Sequence, residues 1–215
     1  MIPHQTPFFL PLLYPALTWR IETTAKELYL TFDDGPVPGP TEWALDQLAY
    51  ASARGTFFCI GDNIARHPQI FKGIISGGHT VGNHTVNHVN GWTMATHQYL
   101  ANIKAFDSLA REAGCAEAVR LFRPPYGRIT RGQIRALHAY RIVMWDVLAK
   151  DYDRCLAPEK CLRGTLAACR PGSIVVFHDS YKSQRNLEYV LPRLLDHFGD
   201  KGYQFRAMAD KPPNL

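Results

Sequence analysis

Short apolar runs rich in β-branched and aromatic residues recur along the chain, each followed by a longer stretch with helical spacing. The runs are "ELYLTF" (27–32), "TFFCI" (56–60), "HTVGN" (79–83), "VRLF" (119–122), "RIVMWDV" (141–147), "SIVVFH" (173–178) and "YQFRAM" (203–208). Between them, "TEWALDQLAYASA" begins at Thr41 behind Pro40. "NIARHPQIFKGIISGG" carries Ile64, Ile70, Phe71, Ile74 and Ile75 up to a glycine pair and predicts one helix. Further helical patterns are "THQYLANIKAFDSLAREAG", "TRGQIRALHAY", "PEKCLRGTLAAC" and "NLEYVLPRLLDHFGDKG". Their Thr, Pro and Asn starts and their glycine stops follow capping chemistry. Strands alternating with helices predict βα units around a mainly parallel sheet. Periodicity alone leaves open whether that sheet stays open or closes into a barrel.

Residues 1–25 break the pattern. "MIPHQTPFFLPLLYPALTWR" is apolar but is interrupted by Pro3, Pro7, Pro11 and Pro15, and no basic residue precedes the apolar stretch. A signal peptide needs a positive start and an unbroken apolar run, and the prolines would interrupt a membrane helix. The segment is expected to pack irregularly on a single domain spanning 26–215. No other run reaches membrane length, so the expected location is cytoplasmic, with secreted or periplasmic as the alternative.

The 215 residues suit one domain, and 46% apolar with 20% charged residues is an ordinary globular balance. The net charge of +5 comes from scattered Lys and Arg rather than a basic stripe, which argues against a nucleic-acid partner. Five cysteines, at 59, 115, 155, 161 and 169, form no C-x-x-C pair and read as reduced structural thiols.

Reactive residue types cluster at strand ends. Asp33 and Asp34 follow the first run, His84 the third and Arg123 the fourth; Asp151 lies just past the fifth, and His178 ends the sixth. In parallel α/β folds those ends form one rim, where active sites lie. "GNHTVNH" spaces His84 and His88 four apart, which on a helical turn puts both imidazoles on one face. Two His and a carboxylate make a catalytic metal set, although H-x-x-x-H by itself arises often by chance. "FRPPYG" holds Arg123 beside the rigid Pro124–Pro125 pair, and the next N–H, on Tyr126, is a candidate oxyanion donor. His178 titrates near neutrality and suits acid–base work. Asp151 and Asp153, taken alone, read as solvated turn residues.

Taken in order, TFDDG, H-T-x-x-H, R-x-P-Y, a D-Y turn and F-H resemble the polysaccharide deacetylase family, the NodB-homology group or carbohydrate esterase family 4. The resemblance spans about residues 26–208. It implies a distorted (β/α) barrel with about seven parallel strands and metal-dependent hydrolysis of acetyl groups on oligo- or polysaccharide. The bond would be the N-acetyl of an amino sugar or, alternatively, an O-acetyl ester. It implies Asp34, His84 and His88 as ligands of a divalent metal, zinc first, with cobalt or manganese as alternatives. It further implies Asp33 as general base, Arg123 as the residue steering it, Tyr126 N–H as oxyanion donor and His178 as general acid. Thr85 would brace the His loop, and Asp151 would support either Arg123 or His178. Two motifs depart from the family pattern. "LAKDY" puts Leu148 and Tyr152 where an acid and a tryptophan are usual, and "VFH" puts Val176 in a leucine place. Tyr152, Val176 and Pro124 are the expected substrate-side residues.

Two further readings remain at this point. A two-His-one-carboxylate set also serves non-haem iron oxygenases, whose usual scaffold is a β-roll rather than alternating βα units. A sugar-binding protein without catalysis could share the fold, but every catalytic position is filled.

Overall fold

The computed structural model describes residues 3–117 and 119–209. Its strands are β1 (Glu27–Asp33), β2 (Thr56–Cys59), β3 (Thr80–Asn83), β4 (Leu121–Phe122), β5 (Arg141–Ile142), β6 (Val147–Leu148), β7 (Ile174–His178) and β8 (Gln204–Phe205). The helices are α1 (Phe9–Leu13), α2 (Pro40–Tyr50), α3 (Gly61–Arg66), α4 (Pro68–Ser76), α5 (Thr96–Glu112), α6 (Arg131–Ala136), α7 (Pro158–Ala168) and α8 (Gln184–Gly199). The sheet runs β5-β4-β3-β2-β1-β7-β6, all parallel, and β8 pairs with the start of β1. Curled on itself and backed by helices, it is the distorted (β/α) barrel. Central strands are buried on both faces, so they read as apolar runs rather than alternating ones. β2 is buried throughout, and Phe32 stacks on Phe57 and Phe177 with centroids 4.7 and 5.9 Å away.

Two predicted elements divide. The helix expected across 63–78 is α3 and α4, broken at His67, because Pro68 has no N–H and excludes its predecessor from helical geometry. The strand expected over 141–147 is β5 and β6. Val143 N–H still bonds Phe122 O at 2.8 Å, but Asp146 N–H bonds Ile174 O at 3.1 Å. The chain therefore changes sheet neighbours within four residues, leaving β4 for β7.

The N-terminal segment is stitched into that change of neighbours. Thr18 N–H bonds Ile142 O at 2.8 Å and Met144 N–H bonds Thr18 O at 2.7 Å. Thr6 N–H reaches Asp146 O and Leu148 N–H reaches His4 O, both at 2.8 Å. Among the described residues no cysteine forms a disulfide, and no helix is long and apolar enough to cross a membrane.

Candidate active site

The parallel register aligns the C-terminal ends of the strands. Asp33 sits opposite both His178 and Phe58, and Asn83 opposite Phe122, so the residues that follow share one rim. The chain leaves that rim through conformations that side chains avoid. Asp34, Thr85, His88, Tyr126 and Lys150 have φ between 56° and 84°. Left-handed backbone at non-glycine residues costs of order 1–3 kcal/mol each and gathers where geometry serves function. For Asp34 the consequence is direct: Asp33 ends β1 in extended geometry, and Asp34 at φ 84° turns away from its neighbour.

Asp34, His84 and His88 converge. Their ligand atoms lie within 4.8 Å of one another, with Asp34 Oδ1 3.8 Å from His84 Nε2 and 3.3 Å from His88 Nε2. The two histidines sit in a turn rather than the helical turn expected, and the left-handed residues Thr85 and His88 bring their rings to 5.1 Å. The Thr85 hydroxyl accepts from Val89 N–H at 3.2 Å, bracing the turn. Each imidazole is oriented through its far nitrogen: His84 Nδ1–H donates to Arg123 O at 2.8 Å, and His88 Nδ1 meets Tyr126 Oη at 3.1 Å. Such partners fix the tautomer that turns Nε2 to a metal. Burial holds His84 down to about 4, against the pull of Asp33 and Asp34, so the ring is neutral with a lone pair to give. Asp34 Oδ1 is buried without any hydrogen-bond partner. An orphaned carboxylate oxygen facing two neutral-capable imidazole nitrogens is the chemistry a divalent cation satisfies.

Asp33 belongs to a second unit. Arg123 is wholly buried, and its Nη1 donates to Asp33 Oδ1 at 2.6 Å and to Thr31 Oγ1 at 2.8 Å. Nε and Nη2 donate to Val143 O and Met144 O at 3.3 and 3.0 Å, and the guanidinium lies 4.1 Å from the Phe58 ring centroid. Phe58 can take that place because residue 82 is glycine; a Cβ there would overlap its ring. Burial pushes the Asp33 carboxyl up, but Arg123, with His84 and His178, outweighs it and holds the group below the usual range.

Asp151 contacts His178, not Arg123. Its Oδ1 accepts from His178 Nδ1 at 2.8 Å and its Oδ2 from His178 N–H at 2.7 Å. Burial alone would lower His178; the Asp151 charge and hydrogen bond override that and raise the imidazole to about 9. The cleft between these units, about 520 Å³, is lined by Asp33, Asp34, His84, His88 and His178. Pro124, Tyr126, Tyr152 and Val176 line it as well. Tyr152 meets the His178 ring edge to face at 5.1 Å.

Several residues of the site had no reading in the sequence. Trp145, Arg128 and Lys182 also line the cleft. Trp145 was hidden inside a run read as one strand, and only the change of sheet neighbours turns that stretch to the cleft. Arg128 and Lys182 follow the chemical motifs by a few residues and carry no spacing signal. Asp179 was visible in "FHDS", beside His178. It accepts from Gly35 N–H at 3.1 Å and from Thr41 Oγ1 at 2.6 Å, tying the loop after Asp34 to α2. Any Cβ on residue 35 would meet the Asp179 carboxylate, so glycine is required. Burial raises Asp179 to about 8 against the Thr41 hydrogen bond.

A parallel barrel with a two-His-one-Asp set, a carboxylate held by arginine and an imidazole held by aspartate is the architecture of a metal-dependent hydrolase. Comparison with known proteins says which kind. Residues 20–145 match the polysaccharide deacetylase family model, and the chain belongs to that family of carbohydrate deacetylases. A chitooligosaccharide deacetylase of Bradyrhizobium sp. is 30% identical, covering 86% of this chain and 92% of its own. A peptidoglycan-N-acetylglucosamine deacetylase of Bacillus cereus is 28% identical over 90% of this chain and 92% of its own. The crystal structure of the Bc1960 peptidoglycan N-acetylglucosamine deacetylase, bound to 4-naphthalen-1-yl-N-oxidanyl-benzamide, has a TM-score of 0.86 at 28% identity and covers 94% of this chain and 95% of that one. The family's deacetylases are metal-dependent, and Asp34, His84 and His88 are the candidate site here.

Proposed function

We propose that the chain hydrolyses the N-acetyl group of an amino sugar in an oligo- or polysaccharide, using zinc held by Asp34, His84 and His88. The observation that carries this reading is the joint placement in one cleft of three convergent ligand atoms, the Arg123-held Asp33 and the Asp151-held His178. When bound, the ion polarises the acetyl carbonyl and acidifies the attacking water.

The chain's own residues supply the rest. Asp33, kept ionised by Arg123, accepts the water's proton; a depressed carboxylate suffices because the water is already acidified. Tyr126 N–H donates to the developing oxyanion, a contribution of about 3 kcal/mol for one such donor. His178 enters the cycle protonated and gives its proton to the departing amine. Two groups driven in opposite directions by their partners divide the base and acid roles. A group that stays protonated on the leaving-group side favours an amide over an ester, because an amine leaves poorly unless protonated. Val176 and Leu148 supply apolar walls for the acetyl methyl, and Tyr152 offers a ring face to the sugar.

The test is acetate release from N-acetylglucosamine oligomers and from O-acetylated xylan fragments, with EDTA-stripped protein and after zinc is restored. The reading expects release from the N-acetyl oligomers only with metal present. Full activity in EDTA, or release confined to the O-acetyl substrates, overturns it.

A further inference from the structure

Beside the catalytic cleft lies a second groove, of about 310 Å³, which the N-terminal segment builds. One wall is Leu10, Tyr14 and Trp19; the other includes Trp92 and Ile129. Tyr126, Gly127 and Trp145 line both hollows, so the groove adjoins the site of chemistry.

The groove's polar handles are largely spent within the protein. Trp19 Nε1 donates to Tyr14 O at 3.1 Å, and Trp92 Nε1 to Ile129 O at 3.3 Å. Thr6 Oγ1 donates to Trp145 O at 2.7 Å, and Tyr126 Oη is engaged with His88. Gln5, Tyr14 and Trp145 are the other lining residues with polar side-chain atoms; the rest of the lining is ring and aliphatic surface. A sugar ring brings hydroxyls that need partners, whereas a hydrocarbon chain needs none. The apolar character also continues outward. On and beside α1, Phe8, Phe9, Leu12 and Leu13 are 82%, 48%, 74% and 59% exposed, and residues 3–19 contain no Lys, Arg, Asp or Glu. Contiguous exposed apolar side chains of this size mark a binding surface.

We infer that this groove receives a hydrocarbon chain attached to the acetylated sugar, so that the chain acts on an amphiphilic glycoconjugate with its sugar head in the catalytic cleft. The inference rests on the deacetylase reading of that cleft and adds the class of aglycone.

The zinc-loaded protein is assayed on methyl and octyl glycosides of N-acetylglucosamine, below micelle formation, by acetate release. The octyl glycoside should show at least a tenfold higher kcat/KM, carried by KM, and Leu10→Glu should bring the ratio close to one. Independently, octyl glucoside, which has no acetyl group, should shift tryptophan fluorescence in the wild-type protein, since Trp19, Trp92 and Trp145 line the groove. Equal kcat/KM for the two glycosides in the wild type overturns the inference, as does an octyl preference that Leu10→Glu leaves intact. Gains that follow the number of sugar rings rather than the alkyl chain also overturn it. If neither glycoside nor the N-acetylglucosamine oligomers release acetate while octyl glucoside still shifts the fluorescence, the deacetylase reading fails and the groove's apolar ligand stands; if the oligomers release acetate and the octyl glycoside does not, the inference fails and the deacetylase reading stands.

Discussion

Arg123 and Asp33 form a buried ion pair whose two members are unequally supported, and that inequality is measurable. Arg123 is 0% exposed and Asp33 4%. If Arg123→Met is made, the Asp33 carboxylate keeps its burial and loses the guanidinium, while Val143 O and Met144 O lose donors. Stranding one charge of a buried pair costs about 3–5 kcal/mol. At roughly 2–4 °C per kcal/mol for a chain of this size, Tm should fall by about 6–20 °C. In Asp33→Asn the arginine keeps two carbonyls, the Thr31 hydroxyl and the Phe58 ring, and the repulsion between neighbouring acids is relieved. Its cost should be nearer 1–2 kcal/mol, the scale of one altered hydrogen bond to a charged group. Both variants should lose activity, Asp33→Asn by about 10²–10⁴ in kcat for a missing general base. Thermal melts of the EDTA-stripped proteins, read beside acetate release from the zinc-restored ones, separate the two effects. If Asp33→Asn lowers Tm as much as Arg123→Met does, the arginine is not independently anchored and the argument from its four other contacts fails.

Other expectations follow from the same geometry. The His178 imidazole, raised to about 9 from 6.5, should set a basic limb in kcat near pH 9; in Asp151→Asn, burial acts without its largest opposing charge and the limb should move toward acid. A raised folded-state value means that the stabilisation from this pair is complete below about pH 6.5 and is lost as pH rises through about 9, which pH-dependent melts of wild type and Asp151→Asn compare. Gly35→Ala should cost about 1–3 kcal/mol by overpacking against Asp179, whereas Gly199→Ala, with nothing near its Cβ, should leave Tm unchanged or slightly raised. His84→Ala and Asp34→Asn should lose zinc in equilibrium dialysis while Asp33→Asn retains it; equal loss in the two Asp variants would contradict their separate roles.

Much of this was legible along the chain, for physical reasons that differ by element. Parallel strands buried on both faces leave continuous apolar runs, so β1, β2 and β7 stood out, and strand-end chemistry placed Asp33, His84, Arg123 and His178 on one rim. The failures occur where tertiary hydrogen bonding decides. Nothing in "RIVMWDV" marks the residue at which the chain leaves Phe122 for Ile174, because both neighbours reward the same apolar residues. The bend turns on contacts with Thr6 and Thr18, more than 120 positions away. Trp145 and its groove stayed hidden with it. Asp151 was ambiguous for a related reason: a carboxylate three residues past a strand can face either neighbour, and only the placement of β6 against β7 sends it to His178.

The adjacent acids of "TFDDGP" show how the fold resolves a local conflict into chemistry. Alternation along a strand would separate Asp33 from Asp34 only if both remained extended. Instead the backbone turns left-handed at Asp34, and the following glycine is held by Asp179, just past the end of β7. Asp33 stays in the sheet, where Arg123 is its counter-ion. Asp34 leaves it and meets two imidazoles, with Oδ1 lacking any other partner. Each carboxylate thus acquires its own compensating charge, one built into the protein and one that a bound cation supplies. The two acids are not interchangeable: Asp33, at the end of β1, pairs with Arg123, and Asp34, out of the sheet, meets the two imidazoles instead. The order of the two acids is therefore fixed by which one sits at the last paired position of β1, opposite His178.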